Sequence, residues 1–497
     1  MAPRSITLTG ITMDKLDVLI IGGGISGLAT AWWLARSGLS IEVWEANYRA
    51  GGKILSTRQD GYLTERAASL LLNFRPEITE LVRESGLEFV KTPRMPASES
   101  CRYILNQGRL QALPMRLGAM FASPLWSLRG KLRLLAEPFI FANGHADESV
   151  SEFITRRLGH EMLEKAMEPF IAGTLAADAY QTCAAAALPR LTALEQRYGS
   201  IFTGVIVNRL MRRRTACTTD AFSFLGGMGT MVDTLAKSPG INFRAGHTAA
   251  ELVRDHDGWM ATATSPDGQR TVSSPHVVLA TPAPASASLL STLDDELVEL
   301  LNGISYASVT VLHAGLARDS VRHPLNGTGF LAPRGESASL TGNLWMSTLF
   351  SDRAPPGKVL LTSYLGGARA PQVADWDNER ILDEALGTLR SLLDFKSDPE
   401  MVRIDRHREA LPLYHGPYQA RMKAIATRLQ SVPGLHLEAN YRGGVSVRDR
   451  IARGHAVANQ ILGERRWPAI ERKRHKDSSR SGGTSTYPME SMGSVTE

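Results

Sequence analysis

Cysteine is scarce in this chain: Cys101, Cys183 and Cys217 are the only three in 497 residues, and none forms a C-x-x-C pair. An odd, scattered set excludes a disulfide framework and points to a reducing compartment. No apolar run reaches the roughly 18 residues that a membrane-crossing helix needs. No signal-peptide pattern opens the chain either, because its first apolar run, Val18 to Ile21, leads directly into glycines and reads as a strand. The expected location is therefore cytoplasmic, with peripheral contact with the cytoplasmic membrane left open. Neither sign of charge dominates, although the net charge is +6 and the pI about 9.2. The basic excess sits partly in Arg212-Arg213-Arg214 and in the run from Arg465 to Lys476. Such runs are more often solvated faces, and with no aromatic RNA motif or zinc-finger spacing nearby, nucleic acid is excluded as a partner. His160-Glu161 lacks the second histidine of H-E-x-x-H. No metal-ligand spacing and no paired acid–base carboxylates are visible, so no metal is expected and no catalytic base is named.

What remains is ordinary globular material, 43% apolar and 21% charged, long enough for two to four domains. Leu16 to Ile21 is a near-continuous apolar run, as a buried parallel strand requires. Gly22-Gly23-Gly24-Ile25-Ser26-Gly27 follows, then a helical spacing ending at Gly38 and a second strand closing on Glu45. This is a G-x-G-x-x-G in its proper context. Gly22 makes the turn, Gly24 lets a pyrophosphate approach the backbone, and Gly27 lets helix and strand pack closely. The phosphates then meet the free N–H groups of a helix start, and Glu45 accepts hydrogen bonds from the ribose hydroxyls. A lone glycine turn carries little weight; the strand, helix and acidic residue around this one make a chance turn a poor reading.

Behind Glu45-Ala46 come Arg49, Gly51-Gly52-Lys53 and Thr57. This run resembles the amine-oxidase-type FAD superfamily, with its E-x3-R-x-G-G-K/R-x3-T pattern, which NAD enzymes lack. Further segments follow in order. They are Gly61 to Glu65 with Ser69-Leu70-Leu71, Phe222 to Met228, Leu411-Pro412-Leu413-Tyr414, and Asn440 to Val447. Together, over about residues 17–463, they resemble the oxygen-dependent protoporphyrinogen/coproporphyrinogen oxidase family.

That resemblance implies an α/β fold: a Rossmann-like FAD-binding domain, an α+β substrate domain, and a helical, membrane-contacting insertion. The corresponding division is 1–14 a flexible N-terminus, 15–90 the first part of the FAD domain, and 91–218 the substrate cavity and helical insertion. The second part of the FAD domain is 219–286, the mixed-sheet substrate domain 287–427, the third FAD part 428–465, and a disordered basic Ser/Gly tail 466–497. FAD is the implied cofactor, held by Gly22, Gly24, Ile25, Ser26, Gly27, Glu45, Ala46, Arg49, Gly51, Gly52 and Lys53. Gly226, Gly227 and Met228 match the family's turn near the isoalloxazine. Ala439, Asn440, Val445, Ser446 and Val447 match the C-terminal segment, where helix amides face the flavin. Arg102 lines up with an arginine that holds a substrate propionate, and Thr328 and Phe330 with a loop over the substrate cavity. The implied reaction removes six electrons from a tetrapyrrole porphyrinogen, two at a time through flavin, with O2 as reoxidant. A membrane surface and a second copy of the chain are the other candidate partners.

Departures from the family bear on the substrate. Glu65 is followed by Arg66-Ala67-Ala68 where E-x-G-P is usual, Ala439 replaces a glycine, and His407 stands near a usual tryptophan. A flavin amine oxidase or carotenoid-type desaturase shares the FAD segments and is the alternative enzyme. A non-catalytic FAD-bound scaffold in haem synthesis is the alternative of another class.

Overall fold

The computed structural model describes residues 5–8, 11–73, 75–99, 101–113, 122–142, 144–145, 147–211, 220–256 and 258–478, with side chains described between 14 and 464. A five-stranded, wholly parallel sheet forms its first layer, in the order Ile241–Ala245, Ile41–Glu45, Val18–Ile21, His276–Leu279, Leu435–Leu437. Its central strands are buried on both faces, which is why they read as unbroken apolar runs rather than alternating ones. Because the strands come from three distant stretches, the domain is discontinuous in sequence. The helices Ile25–Ala35 and Gly229–Ala236 and the C-terminal helix pack Leu28, Met231 and Ile461 against one face. An antiparallel meander (Thr248–Asp255, Gly258–Ser265, Gly268–Ser274) packs Leu252, Trp259 and Ala261 against the other.

Both chain ends differ from the expectation. Instead of a loose extension, Ser5–Leu8 and Ile11–Lys15 form an antiparallel hairpin, and the second strand pairs in parallel with Gly268–Ser274 through Asp14 and Lys15. The meander has an edge to offer, and the Arg270–Asp14 ion pair at 3.0 Å fastens the newcomer. At the other end the helix Val447–Ser478 runs thirteen residues into the tail expected from 466. Residues 479–497 lie outside the described residues.

A seven-stranded mixed sheet forms the second body, in the order Arg109–Ala112, Tyr103–Asn106, Gly329–Leu331, Leu340–Trp345, Lys358–Gly366, Tyr306–Ala317, Met401–Pro412. Its outer face carries Leu312, Leu361 and Leu365 under Ile381, Ala385 and Leu389 of the helix Asn378–Leu393. Alternate residues of the same strands, among them Val311, His313, Thr362 and Tyr364, share the opposite, inner face. Between the strands at 103–112 and Asp220–Phe224 the described chain is helical: Leu128–Leu135, Val150–Leu158, Glu168–Leu175, Pro189–Tyr198 and Ile201–Leu210. Ser149 caps the second of these, in a capping box with Glu152. The buried Arg157 ties this region together by bonding Glu137 and the carbonyls of Ile140 and Gly199. Met115, Leu117, Met120, Phe121 and Arg212-Arg213-Arg214 lie outside the described residues.

Candidate cofactor and substrate site

All parallel strands end at one edge, and the expected cofactor residues gather there. Gly22 turns with φ +112°, and a Cβ on it would lie 2.8 Å from the carbonyl oxygen of Ala280. On Gly27 a Cβ would lie 2.0 Å from the carbonyl of Gly22, so helix and turn are in direct backbone contact. Gly24 is the opposite case. Its backbone is ordinary (φ −74°, ψ 177°), and a Cβ there would meet nothing within 4 Å. The turn therefore leaves open room at the one glycine where a pyrophosphate would approach. The helix start beside it has no side-chain cap and no acidic residue in its first turn, so its N–H groups and positive dipole end face that room uncompensated. Ile25 and Ser26 form that first turn, where the Ser26 carbonyl accepts from Thr30 Oγ1 at 2.8 Å.

Glu45 is buried at the end of the second strand. One carboxylate oxygen accepts the Gly23 N–H at 2.8 Å; the other accepts the backbone N–H and Nδ2 of Asn47 at 2.9 and 2.6 Å. These bonds fix its orientation and leave one lone-pair site, on the oxygen that faces Gly23, for a ribose hydroxyl. Ala46 next to it is exposed. The second glycine pair closes over the first. Gly51 N–H donates to the Gly23 carbonyl at 2.8 Å, and a Cβ on Gly52 would lie 3.2 Å from the Gly24 Cα. Arg49 is spent on shaping this loop: its guanidinium donates to the carbonyls of Ala50, Ile54 and Gly52 at 2.6–3.0 Å. Lys53 reaches over the Tyr306 ring at 5.7 Å, and burial holds its pKa below the usual lysine value.

The segment Gly226–Met228 is bound to this loop by a residue that the sequence reading quoted but did not place in the site. Glu65 is buried, accepts the Met228 N–H at 2.9 Å and Ser56 Oγ at 2.7 Å, and faces buried Arg353 at 3.5 Å. Burial pushes its carboxyl up to about 7 even with Arg353 beside it. A Cβ on Gly227 would lie 2.6 Å from that carboxylate, which explains the glycine. Behind it, His407 donates Nε2–H to the Arg66 carbonyl at 2.8 Å. His407, one of the departures, is thus bonded to the backbone just ahead of two others, Ala67 and Ala68.

The C-terminal segment is set by Arg450, which is fully buried. It pairs with Glu438 at 2.8 Å and donates to the carbonyls of Ala439 and Arg442. Ala439 is buried, whereas Asn440 and Val445 are half-buried. Ser446 accepts the Asp449 N–H at 3.3 Å just ahead of the helix beginning at Val447. That helix crosses the first helix at Gly454, where a Cβ would lie 2.9 Å from the Thr30 nitrogen.

The expected substrate residues divide. Thr328 Oγ1 accepts from Arg94 at 3.2 Å and donates to the Ser98 carbonyl at 3.1 Å. Arg102 is exposed and lies within electrostatic reach of Arg94, whose pKa burial and Arg102 both lower. Phe330 is not at the inner face. It pairs with Asn343 and Tyr103 in the sheet and packs with Leu105, Leu340 and Trp345 under the outer helix. Its neighbour Leu331 takes the inner side, against Gly173. A strand's two faces alternate, and alignment to a loop pattern did not resolve which face position 330 takes. Arg94 had no motif around it and was found only through its contacts.

A crystal structure from Exiguobacterium sp. 255-15 superposes on the chain with a TM-score of 0.76 at 23% identity, covering 91% of this chain and 100% of that one. The mitochondrial protoporphyrinogen oxidase of Nicotiana tabacum is 29% identical over 490 residues, covering 92% of this chain and 97% of its own. The coproporphyrinogen III oxidase of Bacillus subtilis (strain 168) is 27% identical over 467 residues, with 90% and 98% covered. The model of the flavin-containing amine oxidoreductases matches residues 25–462. With its open glycine turn, oriented Glu45 and interlocked glycine pair, this chain belongs to the flavin-containing amine oxidoreductase family and is an FAD-dependent oxidoreductase.

Proposed function

We propose that the protein oxidises a porphyrinogen, protoporphyrinogen IX or coproporphyrinogen III, to the porphyrin in haem biosynthesis, with O2 as the terminal acceptor. One observation carries the reading: the similarity to porphyrinogen oxidases spans both bodies of the fold, from cofactor seat to substrate sheet, rather than the FAD segments alone. FAD, when bound, supplies the two-electron acceptor. The chain's own residues supply position and electrostatics. The helix start at Ile25, with no side-chain cap and no acidic residue in its first turn, presents N–H groups and a positive dipole end suited to anionic cofactor groups. Lys53 adds a partly buried cation beside Tyr306. Arg102, held near Arg94 and Thr328, suits a propionate carboxylate, which a guanidinium can bind through two N–H groups.

The amine-oxidase reading fares worse on a specific side chain. Tyr441 is the aromatic that the C-terminal segment offers for an amine cage, yet it is fully buried, with its hydroxyl 3.5 Å from Ser286 Oγ. A ring wholly enclosed by protein does not line a substrate cavity. Side-by-side aerobic turnover tests the choice. One or both porphyrinogens should yield fluorescent porphyrin, while primary and polyamines yield no peroxide. Amine turnover without porphyrinogen turnover overturns the proposal.

A peripheral membrane position is part of the same reading. Leu128, Leu132, Leu135, Phe139 and Phe141 are 56–87% exposed on the helical region, interleaved with Arg129 and Lys131. Apolar side chains flanked by cations suit the headgroup boundary of an anionic bilayer. Among the described residues no helix is long and apolar enough to cross a membrane.

A further inference from the structure

At the far end of the parallel sheet from the cofactor seat, three side chains distant in sequence converge. His276 opens its strand and His436 lies in the neighbouring one, both buried and on the same sheet face. Glu464 reaches them from the C-terminal helix, one turn beyond the core residue Ile461. His436 Nε2 lies 3.4 Å from His276 Nδ1; Glu464 Oε2 lies 3.7 Å from His276 Nδ1 and 3.8 Å from His436 Nε2. A tetrahedral ion with bonds of about 2.0–2.1 Å separates its ligand atoms by roughly 3.3–3.4 Å. The triangle is therefore close to metal-ligand dimensions without any rearrangement of the backbone.

We propose that His276, His436 and Glu464 bind one divalent transition-metal ion of the zinc type, with solvent as the fourth ligand, clamping the C-terminal helix to the sheet.

Three features support it. The ligand set, two imidazoles and one carboxylate, suits borderline metals rather than calcium or magnesium. Gln460 Nε2 donates to Glu464 Oε1 at 2.9 Å, which aims the other oxygen at the histidines, as outer-shell bonds do around metal-binding carboxylates. Two neutral rings bring at most two protons to the three edges of this triangle. One cation at its centre satisfies all three.

The site is remote from the chemistry. His276 begins its strand, whereas Ala280, just past that strand's end, abuts Gly22. Its effect is thus to fix the helix whose first turn, at Val447, belongs to the cofactor seat. The untagged full-length holoenzyme, stripped with a chelator, is titrated with Zn2+ against a chromophoric competitor. The wild type should bind one equivalent, and its thermal midpoint should rise with Zn2+. Glu464→Gln, altered at a side chain 41% exposed, should keep the flavin spectrum but bind at least roughly tenfold more weakly, with no thermal response. Co2+ should give the visible bands of a tetrahedral N/O site in the wild type and lose them in His436→Gln. Absence of a bound equivalent in the wild type overturns the proposal. So does Zn2+ affinity in Glu464→Gln equal to that of the wild type, which would place the ion elsewhere.

Discussion

Two glycines three residues apart, Gly24 and Gly27, should fail in opposite ways when each is given a single methyl group. At Gly27 the new Cβ would stand 2.0 Å from the Gly22 carbonyl oxygen and 3.1 Å from Ile20 Cγ2. Relief requires helix and strand to separate by about 1 Å, an overpacking cost of about 1–3 kcal/mol or more. At Gly24 the methyl meets no protein atom within 4 Å, and φ −74° is open to alanine. The apo-protein should lose nothing there, and the stiffer unfolded chain adds about 0.4–1 kcal/mol of stability. The same methyl occupies the room left for the pyrophosphate. Losing one charge-assisted N–H contact costs about 1.5–3 kcal/mol, or about ten- to a hundredfold in FAD affinity. Urea unfolding of deflavinated protein reads the first effect, and quenching of FAD fluorescence on binding reads the second. Gly27→Ala should lower stability with or without FAD; Gly24→Ala should lower affinity alone. If Gly24→Ala binds FAD as tightly as the wild type, the pyrophosphate does not pass over Gly24 and the assignment of the seat is wrong.

Three further outcomes follow from buried charge and exposed apolar surface. His313 is held down to about 4 by burial, against 6.5 in the unfolded chain. Between those values the unfolded chain binds a proton that the folded one refuses, so stability falls as pH drops from about 6.5 to 4, by ~3 kcal/mol. His313→Gln should flatten that part of a stability–pH curve measured in urea; an unchanged slope contradicts the assignment. Arg450→Met breaks the buried pair with Glu438 and should cost about 3–5 kcal/mol. It should also lower flavin content per chain, read from the visible-to-ultraviolet absorbance ratio; full flavin content would show that the C-terminal loop does not need this arginine. Replacing Leu132, Phe139 and Phe141 by serine should abolish flotation with anionic vesicles and leave turnover in detergent unchanged. Equal flotation removes the membrane face.

The first strand, glycine turn and helix were legible because backbone geometry dictates them. Positive φ at Gly22 and backbone contact at Gly27 demand glycine, and a buried parallel strand demands an apolar run, whereas Gly24 answers only to a ligand that would fill the room beside it. The hairpin at 5–15 was not legible, since an isolated pair of short strands has little stability until the meander edge receives it. Phe330 was misread for a related reason: one residue of register exchanges the inner and outer faces, and only the paired sheet fixes the register. Glu65 with Arg353 and His407 with Arg66 join residues 288 and 341 positions apart in the chain, and no local spacing announces such pairs. The same holds for His276, His436 and Glu464, which no ligand motif links.

Anaerobic titration of the flavin-loaded protein tests the central claim most directly. Stepwise addition of protoporphyrinogen IX or coproporphyrinogen III should bleach the oxidised flavin absorbance while porphyrin fluorescence grows, and admission of O2 should restore the flavin. Flavin that is bleached by amines but not by either porphyrinogen, or by neither, would contradict it.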